Sequence, residues 1–266
     1  MKRIAICIDD FGLHRTVDDA ILALAEQGRV TATSCMVGAP TWLEDAPRLK
    51  TMFDAGRIDA GLHLDFTEYP IDPAMRRPLN AWMIGTILRT VNADVIRREI
   101  RAQLDRFEAA MGRGPSHVDG HQHVHQFPVV RDVLIEELER RYAANARPWL
   151  RSTKGASRWR FKGRVIEAMG ANTLEQLART HGFAQNNTLL GVYDFRGGPQ
   201  RFRALLQQWL ASAQDRDLLM CHVATGIVPG DEIAAARVDE FEVLSQSGFD
   251  RLVADAGVAL AAMSKM

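Results

Sequence analysis

The chain has 266 residues, 47% hydrophobic and 25% charged, the make-up of a globular protein and not of a disordered or fibrous one. Lysine plus arginine and aspartate plus glutamate number 33 each, so no global field draws the molecule onto nucleic acid or an anionic membrane. No apolar run reaches the length of about 18 residues that a spanning helix needs. Lys2 and Arg3 precede an apolar run too short for the core of a secretion signal.

Taken in order, strand-like and helix-like patterns alternate. Residues 3–8 are apolar and β-branched, which predicts a buried strand. Thr16 is placed to cap a helix ending at Gln27, with Gly28 as its stop. A strand is expected over 30–37, a helix over 41–54 and a strand over 58–64. Residues 65–91 hold three prolines and no clear period, and are read as an insertion. Asn92 is placed to cap an amphipathic helix running to Met111 and closed by Gly112. A short strand at 116–119, a helix from Pro128 to about 144 and a strand at 148–152 follow. Helices are expected over 158–169 and 173–181, and strands over 188–193, 218–223 and 258–263. Between these last strands lie helices near 199–213 and within 231–255. Such alternation implies parallel strands with crossover helices. Its seven or eight units suggest one (β/α) barrel-like domain, a distorted TIM-type barrel spanning 1–266, with an open doubly wound sheet as the alternative.

Cys7, Cys35 and Cys221 lie far apart in strand-like runs. An odd count without paired spacing argues against a disulfide framework or a zinc knuckle, and it suits small buried thiols in a reducing cytoplasm. The six basic residues of 151–164, with Trp159 and Phe161, are read as a solvated basic surface, with an anion grip as the alternative. Trp82 is read as packing within the insertion, with stacking on a sugar as the alternative. Trp42, Trp149 and Trp209 look structural.

The densest chemistry is at 117–125, His-Val-Asp-Gly-His-Gln-His-Val-His, which holds four of the eight histidines. Buried imidazoles each need a partner, and neutral imidazole is the commonest side-chain metal ligand. Asp9 and Asp10 follow the first strand, His63 ends the third, His121 follows the next, and His222 comes late in the 218–223 strand. All fall at strand C-terminal ends, where barrel enzymes build their sites. Two imidazoles and a carboxylate would hold a divalent ion with an open position for water, leaving a spare carboxylate as base. Adjacent aspartates point to opposite faces of an extended chain, so a turn after Ile8, at Phe11-Gly12, is needed to bring both to one ion. Spacing alone does not choose among His121, His123 and His125. Asp119 is suited to orienting a ligating imidazole.

Asp9-Asp10-Phe11-Gly12-Leu13, Gly61-Leu62-His63-Leu64, the nine residues 117–125 and Met220-Cys221-His222 resemble, in order, the YdjC-like carbohydrate deacetylases. That family includes chitooligosaccharide deacetylases and hopanoid-associated proteins. The resemblance implies a barrel-like fold and metal-dependent removal of an N-acetyl group from an amino sugar, oligosaccharide or glycolipid. It also implies Asp10, His63 and His121 as metal ligands, Asp9 as general base and His222 as the acid at the leaving amine. This chain has Cys7-Ile8 where the family has Asn-Ala, and Val223 where it often has proline. Mixed nitrogen and oxygen ligation suits Zn2+ more than Mg2+. Another metal-dependent amide or phosphoester hydrolase, or a non-catalytic metal- or sugar-binding protein, are the competing readings. The spare Asp9 argues against a pure binder.

Overall fold

In the computed structural model, which describes residues 1–155 and 167–266, the chain forms a curled, all-parallel sheet wrapped by helices. The central strand β1 (Lys2–Phe11) is apolar on both faces, and Ile4 to Ile8 are all fully buried. Burial on both sides is what a parallel sheet flanked by helices demands of its middle strands. Around it lie β2 (Ala32–Cys35), β3 (Asp59–Leu64), β4 (His117–Gly120) and β5 (Trp149–Leu150) on one side. On the other lie β7 (Leu218–Cys221) and β6 (Leu189–Leu190). β8 (Val258–Leu260) pairs with the start of β1. Among the described residues the two ends of the curled sheet meet through scattered bonds, such as Leu150 N to Ala184 O, Leu189 N to Lys154 O, and the pair between Ser152 and the Asn186 side chain. The result is a distorted, incompletely laddered barrel.

The connecting helices are α1 (Arg15–Glu26), α2 (Trp42–Asp54), α3 (Leu79–Ile87), α4 (Ala93–Met111), α5 (Val130–Arg141) and α6 (Ala171–Thr180). They continue with α7 (Gly198–Ser212), α8 (Ala234–Ser245) and α9 (Phe249–Asp255). α4 shows why its residues form a helix. Asn92 Oδ1 accepts from the N–H groups of Asp94 and Val95 at 2.8 and 3.3 Å. Ile96, Ile100, Leu104, Phe107 and Met111 recur at helical spacing and are buried, and Gly112 ends the helix at φ +73°.

Several boundaries differ from expectation. α1 is capped by His14 and not by Thr16: the Thr16 N–H donates to His14 Nδ1 at 3.2 Å. β1 runs through Asp9 and Asp10 to Phe11, so no turn follows Ile8. The strand instead bulges against β2 between Ile8 and Phe11. The 65–91 segment carries a helix of its own, α3. Most of the expected 158–169 helix lies outside the described residues. The three thiols are buried and free. Among the described residues no helix is long and apolar enough to cross a membrane.

Candidate metal centre

The bulge in β1 sets the site. Asp10 adopts φ +75°, a left-handed value that aspartate tolerates better than most residues. That twist lets two consecutive carboxylates, both buried, serve one region. Gly12 completes the bend at φ +97°, where a Cβ would meet the Met36 carbonyl oxygen at 2.9 Å. Neighbouring strands supply the rest. His63 on β3 stands directly opposite Asp119 on β4. His121 is the first residue past β4, in a tight turn over His121–Gln126 whose Gln122 and His123 have φ of 51° and 62°.

These groups converge. Asp10 Oδ1 lies 3.0 Å from His121 Nδ1 and 3.3 Å from His63 Nε2. The ligand atoms of Asp10, His63 and His121 all lie within 4.8 Å of one another. Tetrahedral ligands about 2.1 Å from one ion stand about 3.4 Å apart. The donor set is therefore sized for a divalent cation. The far side of each group is tied down. His63 Nδ1 bonds Asp119 Oδ1 at 2.6 Å, and Asp10 Oδ2 accepts from Arg237 Nη2 at 2.7 Å. Arg237 in turn donates through Nε to Asp231 at 2.5 Å. Asp10 is thus left with one oxygen facing the histidines. His121 Nε2 lies 3.3 Å from Glu68 Oε1. Glu68 belongs to a loop whose N–H groups at Thr67, Glu68 and Tyr69 all donate to the Asp65 carboxylate.

Asp9 lies beside this trio, with a carboxylate oxygen within 4.8 Å of a His63 nitrogen, and is held in a guanidinium clamp. Arg151 Nη1 and Nη2 donate to its two oxygens at 2.6 Å each. Arg151 Nη2 also reaches Asp119 Oδ2 at 2.6 Å. This corrects the reading of 151–164 as a solvated basic surface: Arg151 is fully buried between two carboxylates. Lys154 pairs with Glu175, and 156–166 lie outside the described residues. Cys7, His117 and Asp119 also cluster, but Arg151 Nη2 sits 3.1 Å from Cys7 Sγ, so its positive charge already fills that position. Ser34 Oγ donates to Asp119 at 2.6 Å and lies 3.0 Å from His117 Nε2.

His222 Nε2 stands 4.0 Å from Asp9 Oδ2, on the side opposite the clamp residue's strand. Its backbone N–H donates to Glu240 at 2.8 Å, and Tyr193 Oη donates to the other oxygen of Glu240 at 2.7 Å. His125 Nε2 donates to the Arg151 carbonyl at 3.1 Å, so this histidine supports the chain beneath the site. His123 is buried beside it. Trp82 is buried against Phe66 and donates to its carbonyl at 3.0 Å, so the ring packs within the insertion.

Burial and charge separate the histidines. Burial pulls His222, His117 and His125 down to about 4, because no carboxylate contact compensates fully. Burial acts on His63 too, but Asp119, Asp9 and Asp10 outweigh it and lift His63 to about 9. His121 is lifted well above its ordinary value against burial, mainly by Asp10. Burial would raise Asp10, yet Arg237, His121 and His63 hold it well below the usual carboxylate range. Burial raises Glu240 to about 8, against its two hydrogen bonds. The two imidazoles that turn toward Asp10 are thus those most drawn to positive charge.

Arg237, Glu240 and Ser34 were not singled out from the sequence, and Arg151 was read only as the start of a basic run. Nothing local distinguishes them, since each works through a partner more than 15 residues away. A cleft lined by Phe53, Asp59, Arg113 and Tyr142 lies at the start of β3, at the other end of the strand from His63.

The sequence matches the family described as YdjC-like protein over residues 3–255. The chain belongs to that family. A carbohydrate deacetylase of Mus musculus is 33% identical over 150 residues, 52% of this chain and 47% of that relative. The chain thus spans about half the length of that mammalian relative. A chitooligosaccharide deacetylase of Salmonella paratyphi C (strain RKS4594) is 26% identical, covering 97% of this chain and 96% of its own. Among solved structures, an Enterococcus faecalis V583 protein superposes with a TM-score of 0.71 at 20% identity. It covers 98% of this chain and 97% of its own, and shares the fold.

Proposed function

We propose that this chain is a metal-dependent hydrolase that removes an N-acetyl group from an amino sugar, oligosaccharide or glycoconjugate. Residues 1–266 are read as one catalytic unit, with 65–91 inserted beside its site. Asp10, His63 and His121 hold the ion, and their mixed nitrogen and oxygen donors favour zinc over magnesium. The observation that carries this reading is the convergence of two imidazole nitrogens on one oxygen of Asp10, at 3.0 and 3.3 Å. The deacetylases named above among the relatives support the substrate class. When bound, a divalent ion supplies Lewis acidity toward an amide carbonyl and lowers the pKa of water.

The remaining chemistry belongs to the protein. Asp9 accepts the proton of the attacking water. Arg151 fixes both its oxygens, so the carboxylate cannot swing to become a further ligand. Arg237 holds Asp10 Oδ2 at 2.7 Å and would leave only Oδ1 of this aspartate for an ion. His222, held at about 4 by burial, is neutral near pH 7 and must first take up a proton to act as the acid. Asp9 Oδ2, 4.0 Å away, is the nearby source. The proton taken from water passes to His222 Nε2 and then to the departing amine, which is otherwise a poor leaving group. The free thiols of Cys7, Cys35 and Cys221 suit a reducing, cytoplasmic setting.

The test is acetate release from a panel of N-acetylated saccharides, with metal-loaded and chelator-treated protein. Acetate production that chelator abolishes and zinc restores is expected. Full activity after quantitative removal of metal would overturn the reading.

A further inference from the structure

Both histidines beside Asp10 turn one ring nitrogen toward its Oδ1 and the other toward a second carboxylate. His63 presents Nε2 to Asp10 at 3.3 Å and Nδ1 to Asp119 at 2.6 Å. His121 presents Nδ1 to Asp10 at 3.0 Å and Nε2 to Glu68 at 3.3 Å. The two rings therefore offer opposite nitrogens to the same point. An ionised carboxylate only accepts hydrogen bonds, so the nitrogen that faces Glu68 carries a proton. When the His121 ring is neutral, its lone pair is then on Nδ1, aimed at the point that Asp10 and His63 share.

Glu68 stands just past β3, at the entrance to the 65–91 segment. Its side chain is 39% exposed, and its hydrogen-bond partner among the described residues is His121. The backbone beneath it is firmly held. The Asp65 carboxylate accepts from the N–H groups of Thr67, Glu68 and Tyr69 at 2.7, 3.2 and 2.6 Å. Gln103 of α4 grips the backbone of Asp65 from both sides, accepting from its N–H at 3.0 Å and donating to its carbonyl at 2.6 Å. Glu99, one turn away, accepts from the N–H groups of Ile71 and Asp72 and from Gln103 Nε2. Asp65, Glu99 and Gln103 are all buried. On the other side Gly38 lies so close to the Tyr69 carbonyl that a Cβ would not fit between them. The loop is held from both flanks, so Glu68 meets His121 from a set position.

We infer that Glu68 is a positioning residue: by accepting the Nε2–H of His121 it turns Nδ1 of that ring to the ion, so that the centre is ligated by Nε2 of His63 and Nδ1 of His121. The inference rests on the metal-dependent reading of the site and makes the start of the 65–91 segment part of the centre's support. A carboxylate behind a ligating imidazole fixes the ring and raises its basicity, and losing it typically weakens metal binding about 10–100-fold. Asp119 plays this part for His63 in full burial. Glu68 is reached by water and its contact is longer, so the lower end of that range is expected. Asp65 cannot replace it, because both Asp65 oxygens are already taken by the loop's N–H groups.

The test compares zinc affinity, by chelator competition, in the wild-type chain, Glu68→Ala and Glu68→Gln. Glu68→Ala should bind zinc about tenfold more weakly, while its Tm in chelator stays close to wild type, since a partly exposed pair adds little stability. Glu68→Gln keeps an acceptor without the charge and should lie between the two. Proton–nitrogen correlation spectra of the zinc-loaded wild type, isotope-labelled at histidine, should show zinc on His121 Nδ1 and hydrogen on its Nε2. Wild-type affinity in Glu68→Ala overturns the proposal, as does zinc on Nε2 of His121. A Tm in chelator that falls while affinity holds would make Glu68 a structural residue and overturn it too. These outcomes leave the metal-dependent reading standing. A wild-type chain that takes up no zinc or other divalent ion overturns that reading and the proposal together.

Discussion

Asp9→Asn separates the proposed base from the proposed metal ligands more cleanly than any other change. The substitution is isosteric and removes one negative charge from a site where Arg151 donates two bonds of 2.6 Å. An amide can accept one of these bonds but offers an NH2 where the other acceptor stood. Breaking a buried ion pair from one side costs about 3–5 kcal/mol when the partner charge is stranded. Arg151 is not stranded, because Asp119 Oδ2 still lies 2.6 Å away, so a loss at or below the bottom of that range is expected. Catalysis suffers more specifically. Loss of a general base lowers turnover by about 10²–10⁴, or roughly 3–5 kcal/mol in barrier height. Asp10, His63 and His121 are untouched, so zinc stoichiometry by elemental analysis should match wild type. Acetate release at saturating substrate, measured on metal-loaded variant checked by thermal melting, gives the comparison. Wild-type turnover in a folded, metal-replete variant would refute the role of Asp9, and loss of the metal would refute its separation from the ligands.

Removing a ligand should give the opposite pattern: His63→Ala or His121→Ala should purify with little metal, and added zinc should titrate far more weakly in calorimetry. Metal affinity should tighten as pH rises toward 9, because below that value His63 carries a proton the ion must displace; a Kd independent of pH between 6 and 9 would contradict this. The metal-free protein should respond in the reverse direction. His63 has its folded value raised to about 9 above an unfolded 6.5, so its stabilising contribution is complete below about 6.5 and lost as pH rises through 9. The loss is at most on the order of 3 kcal/mol and is readable as a falling Tm in chelator. Gly61→Ala should lower Tm without freeing metal, since a Cβ there would meet the buried His117 ring at 2.3 Å and overpacking typically costs about 1–3 kcal/mol. An unchanged Tm would mean that the ring has room to move.

The alternation of strands and helices was legible because each element is specified locally, by an apolar run of fixed period and a cap or glycine at its end. Asn92 and Gly112 bound α4 as expected for that reason. The cap of α1 was misplaced because His14 and Thr16 both offer a side-chain acceptor, and only the bend at Asp10 to Gly12 decides which one meets the free N–H groups. Residues 188–193 yield a strand of only Leu189–Leu190, since Gly191 turns to φ +93° and leaves the ladder while β7 runs on to Cys221. α3 was missed because its apolar residues are divided between an inward and an outward face, which blurs the period.

The chain alone determined which residue types were on hand for chemistry and that they fall at the ends of buried strands: the paired aspartates, His63, the 117–125 cluster and His222. Only the folded molecule decided which of four crowded histidines turns toward Asp10 and which, like His125, merely holds a carbonyl. It also decided that a buried arginine stands behind each aspartate. The reason is physical. Periodicity and capping act within a few residues and are written in the local order, whereas a charge buried at low dielectric must find its counterion wherever the sheet brings one, 142 positions away for Asp9 and 227 for Asp10.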